Sequence, residues 1–229
     1  MTSTVSTPST AQDLAALEKV WCSMTATSCP LQYNFHMHSV CSDGKLTPEE
    51  IVDQAIAIGL KGFAITDHHT VKGYYAAQAY LQQKAAEGVG ALPHLWTGME
   101  INGRLLGTGV HILAYGFDPT HAALADYRRR EIQEGDKATA DTIVRAIHQA
   151  RGIAILAHPA RYRRPASELV PAAAAINFDG IEAYYAYDNP NPWVSSIKHT
   201  PRMEEMGRSH NLLLTCGTDT HGLNLLRRL

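Results

Sequence analysis

The sequence predicts an α/β fold, on three observations. From Tyr33 onward, short β-branched or aliphatic runs alternate with helical stretches, the pattern of strands joined by helices. One helix start is spelled out in full: Thr47 as N-cap, Pro48 at the first helical position and Glu50 three residues after the cap. Ile51, Val52, Ala55 and Ile56 follow, and Gly59 ends the run. Finally, 229 residues suffice to bury one sizeable core, so a single domain with a short extension is the default.

Taken in order, residues 1–10 are Ser/Thr-rich without apolar periodicity and predict a disordered tail. Leu14, Leu17, Val20 and Trp21 recur at helical spacing and predict an amphipathic helix docked on the main domain. The expected division is therefore a tail and docking helix over 1–30 and one domain over 31–229. Seven strands are expected near 32–37, 61–66, 94–101, 110–116, 152–157, 179–184 and 212–217. Beyond the helix that starts at Thr47, helices are expected at 71–87, within 119–150, at 166–175 and at 201–210. Between Glu100 and Val110 there is no room for a parallel crossover with its helix, so the third and fourth strands are expected to be antiparallel neighbours.

Twenty basic residues against 22 acidic ones leave a formal charge of −2, which excludes the basic field of an unspecific nucleic-acid binder. No stable nucleic-acid partner is expected, although a nucleic-acid fragment remains a possible substrate. No apolar run approaches the roughly 18 residues of a membrane span, and the first residues lack the basic and apolar regions of a secretory signal, so a cytoplasmic location is expected. Four cysteines, none in a C-x-x-C pair, disfavour a disulfide scaffold and a cysteine zinc site. Twelve histidines stand out. They signify either metal chemistry by imidazole and carboxylate or a His-rich surface, and position decides between the two.

Their positions follow the strand ends. His36 and His38 alternate on the first expected strand and face one side, with Asp43 in the loop beyond. The second strand ends in Asp67-His68-His69, the third in Glu100, the fifth in His158-Pro159 and the last runs into Asp219-Thr220-His221. His111 opens the fourth strand, which an antiparallel pairing places beside the end of the third. Six histidines and three carboxylates (His36, His38, Asp43, His68, Glu100, His111, His158, Asp219 and His221) thus converge at the C-terminal ends of the strands. Crowding such groups together is costly without cations, and the set suits two or three ions. Imidazole with carboxylate is compatible with Zn, Fe or Mn.

These motifs resemble the PHP (polymerase and histidinol phosphatase) family of metal-dependent phosphoesterases. The resemblance rests on His36-Met37-His38, Ser42-Asp43-Gly44, Thr66-Asp67-His68, Gly98-Met99-Glu100, His111, Ala157-His158-Pro159 and Gly217-Thr218-Asp219-x-His221, in order over residues 32–222. Within the family, the segment from Ser42 to Glu49 is most similar to the RNase AM and cyclic-phosphate hydrolase type. The resemblance implies a distorted (β/α)7 barrel with a trinuclear centre. One ion would take His36, His38, Glu100 and Asp219; a second Glu100, His111 and His158, with Glu100 bridging; a third Asp43, His68 and His221. The chain departs from that type in two places. Only 46 residues separate His111 from His158, too few for the inserted domain found there, and His69 stands where Asp is common. Eight residues follow His221, so the last helix of the barrel is expected to be short or absent.

The implied activity is hydrolysis of a phosphate ester, on a small phosphorylated metabolite, a nucleotide or an oligonucleotide end. A hydroxide bridging two cations would be the nucleophile. Asp219, Glu100 and Arg161 are the expected catalytic residues, and Asp67 is expected to hold a ligand histidine by its other ring nitrogen. Arg161, followed by Tyr162 and Arg163, is placed to bind phosphate. Arg128, Arg129 and Arg130 are read as a solvated face, and Tyr184 and Tyr185 as either pocket or core aromatics. The alternatives are C–N hydrolysis of the amidohydrolase type and a metal-binding module without turnover.

Overall fold

The computed structural model describes residues 10–229, so the tail expected over 1–10 lies outside the described residues except for Thr10, which begins a short 3-10 turn. Strands β1 (Tyr33–Asn34), β2 (Gly62–Ala64) and β3 (His94–Trp96) form a parallel three-stranded sheet in that order. Strands β4 (Gly98–Leu105), β5 (Thr108–Tyr115), β6 (Ile153–Leu156), β7 (Gly180–Tyr184) and β8 (Leu213–Cys216) form a second sheet, also in sequence order. The hairpin between β4 and β5 is antiparallel, as the short connection requires, and pairs Asn102 with His111. β5 is antiparallel to β6 as well, while β6, β7 and β8 run parallel.

Eight strands replace the expected seven because Thr97 splits the third. Its backbone leaves the first sheet: the N–H donates to the Ala11 carbonyl and the carbonyl accepts from Gly116, just past β5, while Oγ1 donates to the Phe117 carbonyl. The first strand is also shorter than expected. His36 and His38 lie beyond β1 in an extended segment that pairs with the end of β8, where Asp219 N–H donates to His36 O at 2.8 Å and His38 N–H to Thr220 O at 3.0 Å. On the other side, Glu100 N–H donates to Asp67 O and His69 N–H to Glu100 O, so hydrogen bonds join the two sheets at both seams.

The helices follow the sequence closely. α1 (Leu14–Cys22) buries Leu17 and Trp21, and the Trp21 ring meets Phe35 and Tyr115 edge-on at 5.6 and 5.2 Å. α2 (Pro48–Ile58) carries the full capping box between Thr47 and Glu50. It packs with α3 (Lys72–Ala86) over the first sheet around Ile51, Val52, Phe63, Ile65 and Tyr74. α4 (Ala140–Gln149), α5 (Ala166–Ala175) and α6 (Thr200–Ser209) belong with the second sheet to a larger core that also takes in α1. No helix follows His221. The chain folds back, with His221 N–H donating to Arg228 O at 2.7 Å and Leu225 buried. No helix among the described residues is long and apolar enough to cross a membrane.

Candidate metal centre

All nine of the ligand-type residues expected from the sequence come together at the strand ends. Glu100 is at their middle. Its Oε2 lies 3.2 Å from His36 Nε2, 3.1 Å from His38 Nε2 and 3.4 Å from His68 Nε2, and its Oε1 lies 2.8 Å from His111 Nδ1 and 3.7 Å from His158 Nε2. One carboxylate therefore addresses two groups of imidazoles with separate oxygens, the arrangement a bridging ligand needs. Asp219 Oδ1 stands 3.4 Å from His36 Nε2 and 3.3 Å from His38 Nε2. Asp43, the exposed member, faces His221 Nε2 at 3.3 Å, His38 Nδ1 at 3.5 Å and His68 Nε2 at 3.8 Å.

Two glycines make the approach possible. A Cβ on Gly217 would sit 2.1 Å from the His36 Cβ, and one on Gly44 would sit 2.1 Å from the His38 carbonyl oxygen. His158 and Asp219 have φ of +28° and +54°, conformations that cost non-glycine residues of order 1–3 kcal/mol and persist where packing over-determines them.

The electrostatics favour positive charge at His36 and His38. Burial opposes a charged His36, yet Glu182, Glu100 and Asp219 hold its pKa well above the ordinary imidazole value. Burial likewise opposes a charged His38, but the Asp219 and Glu100 carboxylates beside its Nε2 raise it to about 9. Burial also works against ionised Glu100 and Asp219, and the surrounding imidazoles nevertheless keep both well below the usual carboxylate range. Burial pulls His68 down to about 4. A proton or a metal ion answers the same demand.

The residues fit metal ions on their own geometry. Neither ring nitrogen of His38 nor of His158 makes a hydrogen bond within the described residues, although all four atoms are buried, and buried polar atoms are seldom left so. Potential ligand atoms cluster in four overlapping groups: His38, Asp43, His68 and His221; His36, His38 and Asp219; His68, Glu100 and His111; and His36, His158 and Glu182. His68 thus belongs with Glu100 and His111 as well as with Asp43, and His38 joins the Asp43 group, which makes the partition less tidy than the three sets implied by resemblance. Imidazole and carboxylate are the donors expected for Zn, Fe or Mn.

Sequence reasoning missed Glu182. Its Oε1 accepts from His36 Nδ1–H at 2.9 Å, and its Oε2 accepts from the His158 backbone N–H at 2.9 Å. A lone carboxylate inside the fully buried run Gly180–Tyr184 was the available signal. Also unforeseen, Asp219 Oδ2 accepts from three donors: Tyr185 Oη–H at 2.7 Å, Arg228 Nε–H at 2.8 Å and Arg161 Nη1–H at 2.9 Å. Asp219 therefore turns Oδ1 to the centre while Oδ2 is fully engaged, which suits a ligand. Tyr184 turns the other way, toward Met24 O and Glu204.

Other expectations need correction. Asp67 holds no histidine: it accepts from Ser39 N–H, Ser39 Oγ–H and Ser42 Oγ–H at 2.7–2.8 Å and so shapes the loop that carries Asp43. Tyr162 packs its ring against His158 and spends its hydroxyl on the backbone. Its hydroxyl accepts from His111 N–H and donates to Ala157 O, tying β5 to the end of β6. Arg163 is exposed, and Arg164 pairs with Glu168. Arg128 is no solvated side chain, since its guanidinium binds the carbonyls of Pro119, His121 and Leu124. Arg130 donates to Ser42 O at the edge of the centre.

The PHP domain family matches residues 34–185, a span that carries seven of the nine ligand-type residues. A 5'-3' exoribonuclease of Haemophilus influenzae is 36% identical over 143 residues, which cover 57% of this chain and 50% of that protein. A 3',5'-nucleoside bisphosphate phosphatase of Chromobacterium violaceum is 36% identical over 92 residues, 40% of this chain and 30% of that protein. These matches span half or less of those two relatives. Among solved structures, a candidate metal-dependent phosphoesterase from Bifidobacterium adolescentis superposes with a TM-score of 0.67 at 22% identity, covering 84% of this chain and 89% of that one, and so shares the fold. By the family match and the ligand set together, the chain belongs to the PHP domain family.

Proposed function

We propose that the protein is a metal-dependent hydrolase of phosphate esters, acting on a small phosphorylated metabolite, a nucleotide or an oligonucleotide end. The observation that carries this reading is Glu100, a buried carboxylate with imidazoles on both oxygens and Arg161 at the rim of the same centre. The names of the relatives, an exoribonuclease and a nucleoside bisphosphate phosphatase, support a phosphorylated nucleotide as substrate. The two sheets, hydrogen-bonded at both seams, support a distorted (β/α)7-type barrel as scaffold, with residues 31–229 as the catalytic unit and α1 docked on it.

In this reading His36, His38, Asp43, His68, Glu100, His111, His158, Asp219 and His221 hold two or three divalent ions, of Mn, Zn or Fe. Bound there, such ions supply Lewis-acid polarisation of phosphoryl oxygens and a lowered pKa for water. The protein's own residues do the rest. Glu182 fixes the tautomer of His36, so that Nε2 rather than Nδ1 faces the centre. His221 donates Nδ1–H to Asp219 O and likewise presents Nε2. Tyr185 and Arg228 keep Asp219 oriented while Arg161, with a side chain 37% exposed, turns its remaining donors to a phosphate. A planar guanidinium suits the bidentate geometry of a phosphoryl group.

The test is metal analysis of the purified protein, followed by phosphate-release assays on mono- and diesters and an amide panel, with wild type and Asp219→Asn. The reading predicts bound transition metal, ester turnover and its loss in the variant. Turnover of amides alone, or undiminished activity in Asp219→Asn, overturns it.

A further inference from the structure

We infer that the groove running from His68 and His111 to Arg130 is a subsite for a second phosphate of a nucleotide substrate, with Arg130 as the residue that binds it. The inference rests on the phosphoesterase reading above and extends it to substrate selection. The groove has a volume of about 320 Å³, at the lower end of the range for small-ligand sites, and adjoins the centre itself, since Asp43, His68 and His111 line it. Asn102, Arg130 and Ile132 line it as well.

Arg130 differs from the arginines beside it. Arg128 is consumed by backbone carbonyls and Arg129 pairs with Asp126, but Arg130 has no carboxylate partner among the described residues. Its one hydrogen bond, from Nη2 to Ser42 O at 3.3 Å, is long and occupies one of five guanidinium donors. Its backbone, by contrast, is pinned to the centre. Glu100 O accepts from His69 N–H and His69 O accepts from Arg130 N–H, each at 2.9 Å. His69 and Arg130 have φ of +52° and +61°, so both non-glycine residues of this relay are held in the left-handed region. His69 is fixed in turn by Asn102, whose N–H donates to Nε2 at 3.1 Å.

Arg161 reaches the centre through Asp219 and Tyr185, whereas Arg130 lies along the Asp43 and His68 side. One guanidinium thus serves the phosphate being hydrolysed and the other a phosphate further along the same molecule. Ile132, 65% exposed, offers the groove an apolar surface for ribose or base. A second groove of about 390 Å³ shares Asn102 and Ile132 with the first and continues past Arg104. The second phosphate has two sources, a bisphosphorylated mononucleotide or the next phosphodiester of an oligonucleotide.

The test is calorimetric binding of AMP, adenosine 3',5'-bisphosphate and 5'-phosphorylated diadenosine to the metal-loaded wild type, Arg130→Gln, Arg130→Lys and Arg161→Gln, with kinetics on the same ligands. Wild type is expected to bind the two diphosphorylated ligands about tenfold or more tighter than AMP. Arg130→Gln is expected to abolish that ratio, Arg130→Lys to restore part of it and Arg161→Gln to weaken all three alike. Tighter binding of the diadenosine than of the bisphosphate marks the oligonucleotide source, and the reverse the mononucleotide. A ratio unchanged in Arg130→Gln, or absent in wild type, overturns the subsite. An intact ratio without turnover of any of the ligands overturns the phosphoesterase reading instead.

Discussion

Glu182 and His36 are 146 positions apart in sequence and 2.9 Å apart in space, carboxylate oxygen to Nδ1, and both are completely buried. The pair settles which ring nitrogen of His36 faces Glu100 and Asp219. Glu182→Gln keeps the shape and removes the charge that holds this tautomer. Metal affinity is expected to fall about 10–100-fold, measured by chelator competition. Unchanged affinity would make the pair a packing feature only.

The three donors on Asp219 Oδ2 predict divided roles. Tyr185→Phe and Arg228→Met each remove one charge-assisted hydrogen bond, worth about 1.5–3 kcal/mol, and should lower both metal affinity and kcat. Arg161→Gln should raise KM for phosphate esters while metal content stays at the wild-type level. Loss of metal in Arg161→Gln would place that arginine with the positioning residues.

Much of the centre was legible because ligand residues fall at strand ends, where even a one-dimensional pattern marks a common rim. Capping chemistry is equally local, and α2 begins and ends where Thr47 and Gly59 require. What escaped depends on contacts between distant segments. Nothing near Arg228 in sequence points to Asp219, and the chain brings it there only by folding back over Thr220. The partners of Asp67 escape too, because Ser39 and Ser42 give no sign in sequence that they will reach it before a histidine does. Thr97 splits the third strand because its partners are Ala11 and Gly116, which no periodicity reveals. Arg128 and Arg130 share a charged run, yet one satisfies carbonyls and the other lines a groove.

Away from the centre, His148 Nε2 lies 2.8 Å from Asp179 Oδ2, and that hydrogen bond raises the His148 pKa against the opposing effect of partial burial. A raised folded-state pKa stabilises the fold at pH below the unfolded value of about 6.5, and the contribution is lost as pH rises through the folded value. His148→Gln should therefore cost more stability at pH 5.5 than at pH 9. Solvent exposure limits the difference to under about 1 kcal/mol, read by denaturant unfolding at the two pH values. An equal cost at both would remove the charge from the account.

Trp21 ties α1 to Phe35 and Tyr115, and Tyr115 Oη–H donates to Phe35 O directly before His36. Trp21→Ala should cost about 3–5 kcal/mol and lower the melting temperature. A change below about 1 kcal/mol would show that α1 is dispensable to the core.

The central claim is that the nine converging side chains exist to bind metal for phosphate-ester hydrolysis. Its most direct test is the rate of phosphate release from one turned-over ester before chelation, after exhaustive chelation and after return of Mn, Zn or Fe. The account predicts loss of activity with the metal and its recovery on reconstitution, with no recovery in Glu100→Gln. Activity that survives chelation, or that returns in Glu100→Gln, would contradict it.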